Sequence, residues 1–409
     1  MLPVILVIEG SEIQARMIGD RVQKDLGLEV WSAKNLEGLE DLLHRAQGRP
    51  LIAVSNLILP DCEPGQAVDM CLAEGIPTVV LTSSFEPQVR KELLKKQVAD
   101  YVIKTSSSLS ELTAILKRLV HNAQFEVLIV DDSRLFRQEQ ARLLKLFRFV
   151  VFEASNGVEA LAQLQAHPEV RLVLTDLEMP QLNGLQLTNE IRKTYPKDKL
   201  AIIGLSAYAD DETSAMFIKN GANDFLRKPF LQEEFNCRVQ QNVEMLEYIQ
   251  ELYLAAYQDF LTNLPNRKHF FEAGGQKLAN RKAQCLAMFD LDHFKQINDQ
   301  WGHEAGDAVL CHFAALLKEQ LGERGLIARL GGEEFAVMLD ESLESARPLL
   351  EGLRQKTAES ALLWKGQELK LTVSVGLTLI DGQSLDAGLS AADKNLYLAK
   401  ERGRNQLVG

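Results

Sequence analysis

The stretch Val127-Leu128-Ile129-Val130-Asp131-Asp132-Ser133 indicates the fold class of the first 245 residues. Consecutive apolar residues without alternation are typical of a parallel strand that is buried on both faces. A similar opening, Val4-Ile5-Leu6-Val7-Ile8, stands about 120 residues earlier, and three later segments recur at nearly the same offset. We therefore predict two copies of a doubly wound α/β domain, in which amphipathic segments form the crossover helices.

In this fold, polar residues at the carboxyl ends of the strands converge on one crevice. In the second copy these residues are Asp131, Asp132, Asp176, Ser206 and Lys228. Three crowded carboxylates repel one another unless a divalent cation lies among them, and hard oxygen ligands suit Mg²⁺. A lysine and a hydroxyl can stabilise an added phosphoryl group. The pattern therefore indicates a site that accepts a phosphoryl group on a carboxylate, with Asp176 as the central one.

The second copy resembles the receiver domain of bacterial response regulators. The matching motifs are Val-Asp-Asp-Ser (130–133), Thr-Asp-Leu-Glu-Met-Pro (175–180), Leu-Ser-Ala (205–207) and Lys-Pro-Phe (228–230). The resemblance implies that Asp176 is the phospho-acceptor and ligates Mg²⁺ together with Asp131 and Asp132. It also implies Ser206 and Phe225 as the switch pair, Lys228 as the phosphate sensor, and a cognate histidine kinase or phosphotransfer protein as the partner.

The first copy departs from this pattern. Glu9-Gly10 replaces the acidic pair, and Asn56 occupies the acceptor position. An amide is a poor nucleophile, and Asp61 lies five residues further along, beyond the strand end. We expect a non-phosphorylatable adaptor that packs against the second receiver or provides a dimer surface.

Residues 233–258 are predicted to form a linker helix, because neither Gly nor Pro occurs between Phe230 and Pro265. Apolar residues and one Asn follow steps of four and three along it: Phe235, Val239, Asn242, Leu246, Ile249, Tyr253, Ala256 and Phe260. A period of about 3.5 residues is typical of a coiled coil, in which Asn242 would fix the register. The alternative is a single helix that packs on its own domains.

The region after residue 258 combines a strand, Leu286–Asp292, with a hairpin at Gly331-Gly332-Glu333-Glu334. An aspartate at a strand end, followed by a helix start, places a carboxylate beside free backbone N–H groups, which suits a metal–phosphate complex. Paired glycines supply the dihedrals of the turn and let a nucleotide approach closely. Lys400 and Arg404 are four residues apart, so helical spacing predicts a shared face that grips phosphates.

Together these segments resemble the GGDEF family of diguanylate cyclases, here in a Gly-Gly-Glu-Glu-Phe form. Further matching motifs are Leu-Thr-Asn-Leu-Pro-Asn-Arg (261–267), Phe-Asp-Leu-Asp-His-Phe-Lys (289–295), Asn-Asp (298–299), Trp-Gly-His-Glu-Ala-Gly-Asp (301–307) and Ala-Lys-Glu-Arg-Gly-Arg-Asn (399–405). The family implies a ferredoxin-like α+β palm that binds one GTP with Mg²⁺. Two such domains join two GTP into cyclic di-GMP and release two pyrophosphates.

The resemblance also implies roles for individual residues. Asp290, Glu333 and the backbone carbonyl of Leu291 would ligate the metal, and either Glu333 or Glu334 would deprotonate the attacking hydroxyl. Lys295 would also stabilise charge in the transition state. The remaining nucleotide contacts would come from the amides of Phe294, from the phosphate-binding Lys295, Lys400 and Arg404, from Asn298 and Asp307 at the guanine edge, and from His303, which is otherwise an ordinary histidine.

Two positions depart from the family pattern. Asn263 replaces a glycine in a turn, and Gly322 and Gly325 replace the Arg and Asp of the Arg-x-x-Asp product-inhibition site. We therefore expect feedback through that site to be weak or absent.

Composition narrows the functional classes. The 409 residues carry a net charge of −12, which disfavours binding to nucleic acid or to anionic lipid. We find no apolar run of about 20 residues for membrane insertion, and the five scattered cysteines form no CxxC pair, so we expect a cytoplasmic protein.

The expected domain order is a degenerate receiver (1–122), a phosphorylatable receiver (124–232), the linker helix and a GGDEF domain (259–409). This order resembles the PleD type, in which the first receiver is the phosphorylated one. The leading hypothesis is a homodimeric response-regulator diguanylate cyclase. The alternative is a non-catalytic module that binds GTP or cyclic di-GMP.

Overall fold

The computed structural model describes residues 2–46, 48–49, 51–83, 86–207, 211–279 and 284–409. The chain divides into two compact units, Met1–Glu247 and Tyr248–Gly409. Among the described helices, none combines the length and the apolar composition that crossing a bilayer requires.

The first part of unit 1 is a parallel sheet with helices on both faces. Its elements are β1 Val4–Ile8, α1 Glu12–Leu26, β2 Val30–Ala33, α2 Leu36–Ala46, β3 Leu51–Asn56, α3 Gln66–Ala73, β4 Thr78–Thr82, α4 Pro87–Lys96, β5 Asp100–Ile103 and α5 Ser108–Asn122. The strand order is β2-β1-β3-β4-β5, and β1 is fully buried, as its unbroken apolar run predicts.

The second part of unit 1 repeats this architecture. Its elements are β6 Glu126–Val130, α6 Arg134–Leu146, β7 Val150–Ala154, α7 Gly157–Ala166, β8 Val170–Asp176, α8 Gly184–Thr194, β9 Ala201–Ser206, α9 Asp211–Lys219, β10 Asp224–Arg227 and the long helix α10 Gln232–Tyr257. The order β7-β6-β8-β9-β10 matches that of the first sheet. The predicted doubly wound receiver fold is confirmed.

Unit 2 contains an α+β sheet. Its elements are α11 Arg267–Ala279, β11 Gln284–Leu291, α12 Phe294–Trp301, α13 His303–Leu321, β12 Gly325–Gly331, β13 Glu334–Leu339, α14 Leu343–Glu359, β14 Ala361–Trp364, β15 Gln367–Lys370, β16 Val373–Ile380, α15 Leu385–Glu401 and β17 Leu407–Val408. The order β12-β13-β11-β16 is antiparallel throughout, with β11 at its centre. This is the predicted ferredoxin-like palm, and Asp290 lies near the carboxyl end of its central strand.

The coiled-coil interpretation is wrong for the first half of α10. Phe235, Val239 and Leu246 are buried in the core of the second receiver, so this half packs on its own domain. Asn242 does not fix a helix–helix register either. Its Nδ2 donates to Asp224 Oδ2 at 3.3 Å and to the carbonyl of Arg238 at 3.0 Å.

The second half of α10 carries a different apolar row from the predicted seam. Met245, Tyr248 and Leu252 are exposed, as is Ala255, and they follow steps of three and four. We call these residues the α10 stripe. The sequence period correctly indicated a helix, but it predicted a single seam. Of the residues in that seam, Tyr253 and Phe260 are also exposed, whereas Phe235, Val239 and Leu246 are buried.

Candidate active and phosphorylation sites

The second receiver brings its predicted acidic residues together. Asp131 and Asp132 follow β6 and Asp176 ends β8, and their carboxylate oxygens lie within 4.8 Å of one another. Lys228 follows β10, and its Nζ donates to Asp131 Oδ2 and to Asp176 Oδ1, both at 2.6 Å. The parallel strands therefore deliver the pocket that the sequence predicted.

Electrostatics leave this pocket short of positive charge. Burial raises the pKa of Asp176, and Asp131 raises it further, although Lys228 partly opposes both effects. Three carboxylates face one ammonium group. This donor set fits a hard divalent cation, which would lie among the oxygens of Asp131, Asp132 and Asp176.

Sequence reasoning missed two residues that shape this pocket. Gln140 of α6 is fully buried, and its Nε2 donates to Asp131 Oδ2 at 3.3 Å. Gly184 lies so close to the acceptor strand that an added Cβ would stand 2.1 Å from the carbonyl oxygen of Asp176. Neither residue carries a sequence signal, because each acts through a contact that only the fold creates.

The predicted switch residues lie on the paired strands β9 and β10. Ser206 is buried at the end of β9, while Phe225 on β10 is half-buried, with its ring centroid 5.8 Å from that of Phe217. The residue before Phe225 is Asp224, which accepts hydrogen bonds from both Arg238 and Asn242 of α10. The strand of the switch residue therefore contacts the helix directly.

The first receiver has a closed polar network at the corresponding place. Glu9 is buried and accepts from Lys104 Nζ at 2.8 Å and from Asn56 Nδ2 at 3.3 Å. Asp61 points elsewhere, since its Oδ2 accepts the N–H of Leu36 at 3.0 Å. One carboxylate is thus matched by one ammonium group.

In unit 2, the signature hairpin faces the end of β11. Asp290 pairs with Glu334 across β11 and β13, and the N–H of Leu291 donates to the carbonyl of Glu333 at 3.4 Å. Lys400 of α15 completes the group, because its Nζ lies 2.7 Å from Asp290 Oδ2. Helix α15 can reach this position because it packs directly on the sheet.

Burial raises the pKa of Asp290, and the nearby Glu333 and Glu334 raise it further, whereas Lys400 lowers it. Burial is the largest of these effects, so the Asp290 carboxylate lacks stabilisation that water would otherwise provide. Such a cluster fits a divalent cation, with Asp290, Glu333 and the Leu291 carbonyl as the donors.

The other predicted nucleotide contacts border α12 and α13. Lys295, His303 and Asp307 are exposed, whereas Phe294 and Asn298 are half-buried. Asn298 lies against Gly306, where an added Cβ would stand 1.9 Å from Asn298 Oδ1. The structure thus places these side chains on adjoining helix ends beyond β11.

The predicted common helical face of Lys400 and Arg404 is wrong. Helix α15 ends at Glu401, and Arg404 has a φ of 63° in the turn that leads to β17. Asn263, the departure in the family turn, also has a positive φ, of 54°. Asn adopts this conformation more readily than most residues, which explains how it replaces glycine there.

Sequence reasoning also missed the contacts of Asp259, Asp292 and Arg329. Asp292 is buried and accepts from Ser374 Oγ at 2.7 Å and from Thr372 Oγ1 at 2.8 Å, so it fixes neighbouring segments. Arg329 of β12 joins Asp259 to the hairpin at Gly332. Asp259 and Arg329 are 70 residues apart and Asp292 and Ser374 are 82 residues apart, so only the folded sheet reveals these two contacts.

Comparison with known proteins agrees with these features. Residues 256–406 match the model of the diguanylate cyclase GGDEF domain, and residues 127–240 match that of the response regulator receiver domain. The fold and the two acidic pockets thus define a class in which receiver and GGDEF domains share one chain. The chain belongs to the response regulators that carry a GGDEF domain.

Individual relatives support this assignment. A crystal structure of a putative two-component system response regulator/GGDEF domain protein is 40% identical, with a TM-score of 0.53, and the match covers 60% of this chain and 99% of that one. Diguanylate cyclase DgcP of Pseudomonas aeruginosa is 40% identical over 43% of this chain. Response regulator PleD of Caulobacter vibrioides is 31% identical over 69% of it. The chain spans 27% of the length of DgcP and 65% of that of PleD.

Proposed function

We propose that this chain is a diguanylate cyclase that condenses two GTP into cyclic di-GMP and two pyrophosphates, and that phosphorylation of Asp176 activates it. The observation that carries the proposal is the Lys400–Asp290 pair, at 2.7 Å, beside Glu333 and Glu334. The named cyclase relatives support the same reaction.

In each half-reaction, the 3′-hydroxyl oxygen of one GTP bonds to the α-phosphorus of the other. The bond from that phosphorus to its bridging oxygen breaks, and pyrophosphate leaves with the electron pair. Glu333 or Glu334 takes the hydroxyl proton. Mg²⁺ held by Asp290, Glu333 and the Leu291 carbonyl would supply positive charge at the phosphates.

The remaining residues bind and orient the nucleotide. Lys295, Lys400 and Arg404 neutralise phosphate charge, and Lys295 also stabilises the charge that develops in the transition state. Asn298 donates and accepts at the guanine edge, where Asp307 accepts from N–H groups, while the amides of Phe294 contact phosphate and His303 borders the site. Positioning and charge neutralisation are the main requirements of phosphoryl transfer.

Condensation needs two domains face to face, so we infer a homodimer. The α10 stripe provides a surface for it: Met245, Tyr248 and Leu252 are each more than half exposed and follow the spacing of a two-helix interface. The phosphodonor is a histidine kinase or a phosphotransfer protein. Asp224 connects the switch strand to α10, which supports transmission of the phosphorylation signal through this helix.

The experiment measures cyclic di-GMP formed from GTP and Mg²⁺ by the full chain, with and without beryllofluoride, a mimic of phosphorylated aspartate. We expect product that rises with beryllofluoride, and none from Asp290→Asn. A rate of product formation that does not change with beryllofluoride would contradict the switch at Asp176. GTP binding without product under either condition would favour a non-catalytic binding module.

A further inference from the structure

The first receiver contacts α10 through its α4–β5–α5 face. Glu233, Glu244 and Glu247 pair with the first receiver, and Cys237 and Gln240, which face the cavity beside it, lie on the same side of the helix at steps of three and four. The residues of α10 that pack on the second receiver, such as Phe235 and Val239, lie on another side. Residues 232–247 are therefore held between the two receivers.

Ion pairs of one polarity connect the first receiver to this helix. Arg90 Nε donates to Glu233 Oε1 at 3.1 Å, and Arg90 Nη2 also contacts Glu233 Oε2. Tyr101 Oη donates to the same carboxylate at 3.4 Å. In the Arg90–Glu233 ion pair the helix supplies the acidic side chain and the receiver supplies the basic one.

Two further pairs continue this row along the helix. Arg118 Nη1 lies 3.8 Å from Glu244 Oε1, and His121 Nε2 lies 2.6 Å from Glu247 Oε1. Reversing one charge would therefore place like charges together, and reversing both partners would restore the attraction.

The interface around these pairs is loosely packed. A cavity of about 740 Å³ lies between β5 and α10, and its walls include Val98, Tyr101, Cys237 and Gln240. Charge pairs in contact with water are individually weak and are screened by salt. The contact is therefore suited to reversible release.

The side of α10 that contacts the first receiver lies next to the α10 stripe. Met245 directly follows Glu244, and successive helix residues are about 100° apart around the axis. A second α10 that packs on Met245 would thus approach the first receiver where it holds Glu244.

We propose that the first receiver is a salt-sensitive clamp on α10 that restrains pairing of this helix with that of a second copy. The effect on product formation rests on the proposed cyclase function. The clamp itself does not, because it is defined by contacts within unit 1.

Hydrogen exchange of the full chain tests the clamp directly. Arg90→Glu and Glu233→Arg should each speed amide exchange in residues 232–247 by about two- to five-fold, and the double exchange of charges should restore the slow rate. Glu190→Arg is the matched control. It breaks the exposed Lys193–Glu190 pair on α8, so exchange in α10 should not change.

The dimer fraction and the product formed without beryllofluoride test the restraint. Both should rise by about two- to five-fold in Arg90→Glu and return in the double variant. Unchanged exchange, or faster exchange without more dimer, would overturn the clamp. If exchange and dimerisation respond as expected but even the wild type forms no cyclic di-GMP, the clamp stands and the proposed cyclase activity fails.

Discussion

Arg329 holds Asp259 and the signature hairpin at the same time. Its Nη1 donates to Asp259 Oδ1 and Oδ2 at 2.9 and 3.2 Å, while Nε and Nη2 donate to the carbonyl of Gly332 at 3.0 and 2.7 Å. Asp259 lies two residues after the end of α10. One guanidinium group therefore ties the end of the helix to the turn that carries Glu333.

Arg329→Ala should loosen the hairpin and leave the largely buried Asp259 carboxylate without its cationic partner. We expect product formation to fall at least ten-fold and unit 2 to lose about 3 kcal/mol of unfolding free energy. Enzyme kinetics and urea unfolding of the full chain measure the two effects. The matched control is Arg324→Ala, which removes an exposed pair with Glu341 and should change stability by less than about 1 kcal/mol. Equal effects of both substitutions would contradict this role for Arg329.

The stability of unit 2 should depend on the ionisation of Asp259. Burial opposes the charged form, but hydrogen bonds from Thr262 and Arg329 outweigh it and hold the pKa of Asp259 below its ordinary value. A lowered pKa stabilises the fold above the unfolded-state pKa of about 4, and this contribution disappears as the pH falls through the folded-state value. The stability difference between wild type and Asp259→Asn should therefore be constant above about pH 5 and shrink as the pH falls below about 4. Urea unfolding at a series of pH values measures this difference. A difference in unfolding free energy that does not vary with pH would contradict the role of the Asp259 carboxylate.

Asp176→Asn should abolish activation by beryllofluoride, because an amide cannot replace the carboxylate that binds the fluoride complex. Basal cyclic di-GMP formation should remain measurable. Asp61→Asn in the first receiver is the control, since Asp61 caps a backbone N–H rather than forming a phosphorylation site. Normal activation in Asp176→Asn would rule out the assigned acceptor.

Lys400→Met should leave Asp290 facing Glu333 and Glu334 without the nearby ammonium group. The pKa of Asp290, already raised by burial, should rise further, so the acid limb of the pH–rate profile should move to higher pH. Turnover should fall about 100-fold, and Lys400→Arg should retain more of it. An acid limb at the same pH in wild type and Lys400→Met would show that Lys400 does not influence the ionisation of Asp290.

Cyclic di-GMP should inhibit the protein weakly or not at all through the loop before β12. Gly322 and Gly325 offer no side chains there, and a Cβ at Gly325 would stand 2.2 Å from the carbonyl oxygen of Met338. Product-inhibition curves of the purified chain test this expectation. Low-micromolar inhibition that depends on this loop would contradict it.

Sequence information was sufficient where a residue acts from the end of a buried strand. Asp131 and Asp290 follow unbroken apolar runs, and Asp176 ends a strand that is mostly buried, so strand topology alone places them in crevices. It was insufficient where the function of a residue depends on its neighbours in space. The apolar period of α10 indicated a helix. Its sides face the first receiver, the second receiver or solvent, and the sequence alone does not show which of these Leu246 faces.

The same limit applies to individual polar residues. Arg329 and Gln140 appear in the sequence as ordinary members of a strand and a helix. Their partners, Asp259 and Asp131, lie 70 and 9 residues away along the chain. Only the fold converts these separations into hydrogen bonds.

The closed network of Glu9, Asn56 and Lys104 has a consequence for how the two receivers respond to their surroundings. Its one acid and one base cancel, so folding alone completes it. In the second receiver three carboxylates surround one lysine, so the folded site still fits a divalent cation. A change in the Mg²⁺ concentration should therefore alter the second receiver but not the first. The first receiver then keeps one structure while the second changes state.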